Sequence, residues 1–76
     1  MIVKIQLPVA SNDPNPKALV YNEERDLEFL MPVEATLITA MGGHPKKFFD
    51  VDFIPDPQVK GAEKLVINEE VTDPGW

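Results

Sequence analysis

The sequence contains no cysteine among its 76 residues. Disulfide bonds and cysteine-ligated metal sites are therefore excluded, so packing, self-association or loops stiffened by the eight prolines must stabilise the fold. Reducing compartments disfavour disulfides, and a sequence without cysteine is typical of an intracellular protein. We therefore expect a cytoplasmic protein.

Long hydrophobic runs are also missing. A membrane helix needs about 20 consecutive apolar residues, and no stretch of the sequence approaches that length. The first seven residues alternate, with polar side chains at Lys4 and Gln6, and Pro8 ends the run, so the apolar segment of a signal peptide is not present. The sequence therefore predicts no membrane partner.

Positive charge is scarce. Thirteen acidic residues against seven basic ones give a net charge of −6 at pH 7. Proteins that bind nucleic acid or anionic membranes directly depend on basic patches, so neither kind of partner is expected. An acidic surface keeps a small protein soluble, and it also complements the basic surface of a partner protein.

Side chains that carry out catalysis are few. His44 is the single histidine, and Ser11, the single serine, lies in a proline-rich stretch without the sharp glycine-flanked turn of a nucleophilic serine. A histidine without a second ligand at metal spacing is more often a helix-end residue than a base or a ligand. The sequence predicts no catalytic residue, no metal, no cofactor and no enzyme activity.

The sequence does contain enough apolar material for one small core. Hydrophobic residues make up 43% of it, which is typical of folded rather than disordered proteins. A chain of this length suits one domain, and we expect residues 1–76 to form a single small acidic α+β domain. Such a domain is marginally stable, because buried surface only narrowly outweighs about 1–2 kcal/mol of backbone entropy per residue.

Five segments have the alternation or the β-branched and aromatic content of strands, and one has helical spacing. The order β-β-β-α-β-β predicts an antiparallel sheet of about five strands with one short helix packed on one face. One helix cannot cover five strands, so much of the second face is expected to be solvated or used for association. The predicted strands are residues 1–7, 18–22, 27–31, 48–54 and 64–68, and the predicted helix of about eight residues ends at Met41.

Two other segments are predicted to be irregular. Residues 8–17 contain three prolines and several turn formers, which favour an ordered surface loop over a helix or a strand. Residues 69–76 are predicted to form a short extension or tail.

Alternation along residues 48–54 predicts two different faces. Phe49, Val51 and Phe53 point to one side and are expected to be core. Similar alternation places Leu27, Phe29 and Met31 together, and the remaining predicted core residues are Leu37, Met41, Leu65 and Ile67. The opposite side of residues 48–54 is where we expect function to lie, and it carries Phe48, Asp50, Asp52 and Ile54.

Two pairs of carboxylates follow strand spacing, Asp26 with Glu28 and Asp50 with Asp52. Residues two apart in a strand are about 6.6 Å apart, too far to hold one small cation without further ligands. The glycine and the closing glutamate of a calcium loop are also missing. A solvated sheet face accounts for the spacing. Alternatively, regularly spaced carboxylates imitate the phosphates of a nucleic-acid strand and occupy a basic groove.

Apolar residues are expected on the same solvated side. Ile2, Phe48 and Ile54 form a patch for a partner or a second copy of the chain if they are adjacent. Leu19 and Tyr21 extend that patch if the strand order permits. Trp76 follows a Pro-Gly pair, so it either packs back over the sheet or inserts into a partner.

These observations favour a small, acidic, non-enzymatic protein-interaction module. It binds a partner protein with a basic surface, or self-associates as a homo-oligomer, through its sheet face. The alternative is an acidic nucleic-acid mimic, of the type found among phage inhibitors, that blocks a DNA- or RNA-binding protein. The residues predicted to bind are Asp26, Glu28, Phe48, Asp50, Asp52, Ile54 and Trp76.

Overall fold

The structure of the chain, a computed structural model, describes residues 1–8 and 14–76. Its elements follow the order β-β-β-α-β-β, so the predicted α+β class and element order are confirmed. They are β1 (Ile2–Gln6), β2 (Lys17–Tyr21), β3 (Leu27–Pro32), α1 (Ala35–Met41), β4 (Lys46–Pro55) and β5 (Glu63–Val71).

The five strands form one antiparallel sheet in the order β3-β2-β1-β4-β5. Strands joined by local turns pair as hairpins, β2 with β3 and β4 with β5. The first strand lies in the middle because it pairs with both β2 and β4. This central position explains why its alternate residues Val3 and Ile5 are fully buried.

The sheet is strongly curled. Phe29 on β3 and Phe53 on β4 lie three strand positions apart, which corresponds to about 14 Å in a flat sheet. Their rings instead meet edge to face with centroids 5.6 Å apart. The edge strands β3 and β5 therefore curve toward each other on the side of the sheet that carries the core.

The hydrophobic core lies between α1 and this concave face. Leu37 and Met41, one helical turn apart, are the buried residues of α1. The other members of the buried cluster are Val3, Ile5, Ala18, Val20, Phe49 and Val51, with Phe29, Met31, Phe53, Leu65 and Ile67 packed against them. The predicted core positions in α1, β4 and β5 are confirmed.

The helix is held mainly at its C-terminal end. Glu34 occupies the N-cap position, but its side chain makes no capping hydrogen bond. Gly42 ends the helix in the left-handed conformation, with φ 60° and ψ 32°, which glycine adopts without steric cost. The Nζ of Lys47 donates to the carbonyl oxygen of Ala40 at 3.4 Å and to the carboxylate of Glu70 at 2.7 Å. The predicted end of the helix at Met41 is confirmed.

Two strand predictions are wrong, and each fails at a β-bulge. The last strand continues to Val71, where a tail was expected, because the pairing skips Asn68 and resumes between Glu69 and Asp50. In the other hairpin Phe29 faces Val20 and Leu27 faces Tyr21, so Glu28 is the extra residue. This shift turns Leu27 away from the core and leaves it 53% exposed.

The predicted proline-rich loop over residues 8–17 is only partly described. Residues 9–13, among them Ser11, lie outside the described residues. Lys17, predicted to end the loop, belongs to β2 and faces Pro32 of β3.

Candidate functional site

The face of the sheet opposite α1 is the candidate functional site and is called the outer face below. Strand alternation directs to it the side chains that do not enter the core. Part of it is covered by the C-terminal segment, which ends at Trp76. The predicted site residues lie on this face or at its margin.

Phe48 lies on the outer face but is buried. The ring of Trp76 packs against it edge to face, with centroids 5.4 Å apart and an angle of 89° between the planes. Phe48 consequently keeps only 4% of its exposure. The expectation that Phe48 is solvated is wrong, because the C-terminal segment folds back over the sheet. A role for either aromatic residue in binding stays a prediction, and a partner reaches Phe48 only when Trp76 moves.

Asp50 is bonded to the first residue of the chain. The α-amino group of Met1 donates to Oδ1 of Asp50 at 2.9 Å and to the carbonyl oxygen of Val51 at 3.1 Å. The hydrogen bond to Asp50 raises the pKa of this amino group above its ordinary value, and desolvation opposes the increase. The negative charges of Asp50, Asp52 and Glu23 raise the same pKa further. A positive charge therefore lies among the predicted carboxylates.

Two other predicted carboxylates are held by amide side chains. Asn68 donates to Oδ2 of Asp52 at 3.0 Å, and Asn22 donates to Oε2 of Glu28 at 3.0 Å. Asp26 is exposed in the turn between β2 and β3, where its backbone N–H donates to the side chain of Asn22. These hydrogen bonds fix the positions of the Asp52 and Glu28 carboxylates.

The structure brings Glu28, from one predicted carboxylate pair, to the same region as Asp50 and Asp52, which form the other pair. Met1, Asn22 and Glu28 line one shallow pocket, and Met1 also contacts Asp50. Asp52 lies two residues further along the same strand. We call this region the acidic end of the outer face, comprising Glu28, Asp50 and Asp52 around the ammonium group of Met1.

Ile2, Phe48 and Ile54 do not form a single patch. Ile2 faces Asp50, and Phe48 lies beneath Trp76. Ile54 faces Lys64 and is six residues from Phe48 along the strand, a separation of about 20 Å. Its side chain is 38% exposed. Ile54 therefore lies near the far end of β4, away from Ile2 and Phe48.

A different apolar surface lies on β2 and β3. Leu19 faces Leu30, and Tyr21 faces Leu27, in two cross-strand pairs on the outer face. Leu27 and Leu30 are 53% and 52% exposed. The Nζ of Lys4 lies 4.8 Å from the centre of the Tyr21 ring, a cation–π contact on the neighbouring strand. We call Leu19, Tyr21, Leu27 and Leu30 the apolar strip.

Half of the apolar strip was predicted from the sequence. Leu19 and Tyr21 were expected to extend an outer patch if strand order permitted, and pairing of β2 with β1 places them beside Lys4 and Gln6. Leu30 could have been found, since alternation places it opposite in direction to Phe29. Leu27 carried no such signal, because its orientation depends on the bulge at Glu28.

The described residues also limit what other chemistry the surface contains. Among residues 1–8 and 14–76, no three histidine or acidic side chains are arranged to hold a metal ion. His44 is exposed, and its backbone N–H donates to the carbonyl oxygen of Met41 at 3.1 Å after the helix end. Nor does any helix within those ranges have the length and apolar character needed to cross a membrane. The outer face offers apolar contacts, carboxylates and one ammonium–aromatic contact.

Comparison with known proteins provides no relative for this arrangement: no protein-family model matches the sequence, and no curated protein and no solved structure match it.

Proposed function

We propose that the chain is a non-enzymatic protein-interaction module that binds its partner through the outer face. The observation that carries this proposal is the apolar strip, with Leu27 and Leu30 half exposed on a face that α1 does not cover. Side-by-side apolar residues on a sheet surface leave hydrocarbon in contact with water, and a partner removes that contact on binding.

The exposed leucines of the apolar strip are expected to make a measurable contribution to affinity. Burying a whole leucine side chain contributes about 1.5–3 kcal/mol, so covering the exposed half of one contributes about 1 kcal/mol. Leu27 and Leu30 together then account for about 30-fold in affinity. Tyr21, the aromatic member of the strip, adds an amphipathic ring of the kind that is enriched at interfaces.

The acidic end supports a partner with a basic surface. Glu28 and Asp52 are held in position by amide side chains, so their charges are presented in a fixed arrangement. Ordered charges at the margin of an apolar contact increase the association rate and select partners more than they increase affinity. The net charge of −6 likewise increases the rate of association with a basic partner.

A nucleic-acid mimic is the alternative, and the ion pair at Asp50 weakens the case for it. Mimicry requires a row of uncompensated negative charges, whereas Asp50 lies 2.9 Å from the ammonium group of Met1. Binding through the apolar strip instead depends on leucine side chains. The two functions therefore differ in their dependence on salt and on the residue changed.

The test is quantitative capture of partners from an extract of the native cells, with three forms of the chain as bait. These are the wild type, the double variant Leu27→Ser/Leu30→Ser, and the control Ile38→Ser/Val59→Ser. Ile38 and Val59 are 56% and 53% exposed and lie outside the outer face, so the control removes equally exposed apolar side chains. Circular dichroism establishes that all three forms are equally folded.

We expect the same partner to be retained by the wild type and the control at low and high salt, and to be lost by the Leu27→Ser/Leu30→Ser bait. For self-association, the same variant should abolish a concentration-dependent dimer measured by sedimentation. Equal retention by both variants would contradict the proposal. Capture that disappears at high salt and on changing Asp26, Glu28, Asp50 and Asp52 to their amides would establish the mimic instead.

A further inference from the structure

A row of directly paired residues crosses the whole outer face. Each member pairs with the next, and in strand order they are Leu27, Tyr21, Lys4, Phe48 and Val71. Residues that pair directly across an antiparallel sheet lie side by side on one face. Lys4 is the one charged member, and its hydrocarbon stem occupies the position between Tyr21 and Phe48. The apolar strip is therefore continuous with Phe48.

A partner that covers the apolar strip extends along this row. The strip occupies two neighbouring strands, an area of roughly 10 Å by 10 Å. A specific interface buries about 800 Å² on each protein, which corresponds to a footprint reaching about 14 Å from its centre. Phe48 is two strands beyond Tyr21 and lies about 12 Å from the centre of the strip. Such a partner therefore reaches Trp76, which covers Phe48.

The segment that carries Trp76 is attached to the sheet chiefly by one ring contact. Residues 72–76 follow the end of β5 and belong to no strand. Their one hydrogen bond among the described residues runs from the backbone N–H of Gly75 to the side chain of Asp73 at 2.7 Å, within the segment. No ion pair in the same part of the chain holds them. Lifting the segment therefore separates Trp76 from Phe48 and breaks no strand pairing.

The covered state is favoured by a modest factor. The edge-to-face ring pair and the burial of Phe48 together favour it by about 5- to 30-fold over a state in which Trp76 is lifted. Covering Leu27 and Leu30 contributes about 30-fold to the affinity of a partner. The gain at the strip is thus comparable with the cost of displacing Trp76, before any contact with Phe48 is counted.

Trp76 itself indicates which side chain fits the uncovered surface. Its ring meets that of Phe48 with centroids 5.4 Å apart and planes at 89°, so Phe48 accepts a second aromatic ring edge to face. A second copy of this chain would bring the same tryptophan without the advantage of attachment, which corresponds to an effective concentration in the millimolar range. The net charge of −6 on each copy also opposes their approach. A different protein that also covers the strip is the better competitor.

We propose that residues 72–76 are a displaceable cover of the outer face, and that the partner binding the apolar strip replaces Trp76 on Phe48 with an aromatic side chain of its own. This proposal rests on the function proposed for the strip. It adds a competition to that function, because the affinity for the partner is reduced by the fraction of chains in which Phe48 is covered.

The surface beneath the cover is tested with a synthetic peptide that has the sequence of residues 72–76 and is blocked at both ends. Its binding to the wild type and to Trp76→Ala is followed by the nuclear magnetic resonance signals of Lys4, Phe48 and Val71. For the variant we expect a dissociation constant of about 0.1–1 mM, from the effective concentration of the attached segment and the preference for the covered state. The wild type should bind the peptide about 5- to 30-fold more weakly.

Two controls accompany the peptide. Val59→Ala, at an exposed residue outside the outer face, should bind it as weakly as the wild type. A peptide with alanine in place of the tryptophan should bind neither the wild type nor Trp76→Ala, because the ring that meets Phe48 is missing.

Displacement by the partner is measured on the wild-type sequence, so this test holds even if Trp76→Ala fails to fold. Trp76 is the single tryptophan, and a chain grown with 5-fluorotryptophan therefore gives one fluorine signal. The signal of the chain alone marks the covered state, and the signal in urea marks a released ring. The probe is the purified protein that the wild type captures and Leu27→Ser/Leu30→Ser loses. We expect the fluorine signal to leave its covered position when this protein is bound.

Four results would overturn the proposal. The first two are equal binding of the peptide to the wild type and Trp76→Ala, and no binding to Trp76→Ala at several millimolar. The third is a fluorine signal that stays at its covered position with the partner bound, because Trp76 would then be part of the interface where it lies. The fourth is a fluorine signal that moves as the chain alone is concentrated, which would identify a second copy as the occupant. Retention of the partner by Leu27→Ser/Leu30→Ser would contradict the function proposed for the strip, and the peptide measurements do not depend on that result.

Discussion

On the outer face, the contact between Trp76 and Phe48 changes the interpretation of the sequence more than any other contact. Phe48 follows the alternation expected of a solvated residue, and yet the Trp76 ring reduces its exposure to 4%. The pair thus extends the hydrophobic packing of the molecule to the second side of the sheet. For a chain of 76 residues without disulfides, such additional packing is a substantial part of its stability.

Trp76→Ala should lower the free energy of unfolding by about 1–2 kcal/mol. The change removes an edge-to-face aromatic pair, worth about 0.5–1.5 kcal/mol, and exposes Phe48 to water. Urea unfolding followed by far-ultraviolet circular dichroism measures the loss, since the variant has no tryptophan left for fluorescence. Val59→Ala, at a residue 53% exposed, should change stability by less than about 0.5 kcal/mol. Equal effects of the two changes would show that Trp76 does not pack on the sheet in solution.

At the scale of the elements, the residue before β1 is joined to β4 by an ion pair, in addition to the backbone hydrogen bonds that pair the two strands. The ammonium group of Met1 bonds to Asp50, and the backbone N–H of Val51 donates to the carbonyl oxygen of Met1 at 2.8 Å. The junction keeps the first residue of the chain in register with the longest strand. It also makes the stability of this junction depend on the protonation of one amino group.

The pH dependence of the folding stability follows from the direction in which the pKa of the Met1 amino group is shifted. The amino group of Met1 has a higher pKa in the folded chain than in the unfolded chain, chiefly through its hydrogen bond to Asp50. Its stabilising effect is therefore complete below pH 8, near the unfolded pKa, and is lost as the pH rises through the folded pKa. As the pH rises above 8, we expect the urea concentration at the unfolding midpoint to decrease more for the wild type than for Asp50→Asn. Comparing the two chains removes every other pH-dependent contribution that they share.

Acetylation of the α-amino group is the control for that measurement, because it removes the charge and leaves Asp50 intact. The acetylated chain should have the same shallow alkaline dependence as Asp50→Asn. If all three chains respond identically to pH, the Met1–Asp50 bond does not form in solution.

Bulges explain why the elements were predicted better than their faces. Alternation correctly identified the buried side of β4, because β4 runs without interruption through Phe49, Val51 and Phe53. It failed for Leu27, where the extra residue Glu28 reverses the faces. Residues 69–71 were predicted to form a tail, but the pairing with β4 resumes there after the bulge at Asn68. A bulge is set by the partner strand, and a single sequence read along one strand contains no information about the residues opposite.

The helix illustrates the opposite case. Its C-terminal end was predictable from Gly42-Gly43, since the left-handed conformation of a helix end favours glycine locally. The contact that holds this end could not be predicted, because Lys47 of β4 meets Ala40 of α1 and Glu70 of β5 only in the folded chain. Local signals therefore identified where α1 ends, and tertiary contacts explain why so short a helix is stable there.

At the scale of the whole molecule, the curl of the sheet separates three surfaces. The concave face holds the core beneath α1, the convex outer face carries the apolar strip and the acidic end, and the β3 and β5 edges border a cleft. The sequence predicted the first of these and the acidic part of the second. The curl brings Phe29 and Phe53 together across the two intervening strands, a contact between residues far apart in sequence.

The central claim is that a partner protein covers the apolar strip. Methyl cross-saturation transfer, measured by nuclear magnetic resonance on the chain bound to its captured partner, tests this directly. We expect the methyl signals of Leu19, Leu27 and Leu30 to lose intensity when the partner is irradiated, and those of the equally exposed Ile38 and Val59 to stay unchanged. Loss at Ile38 or Val59 with no change at the three leucines would contradict the claim.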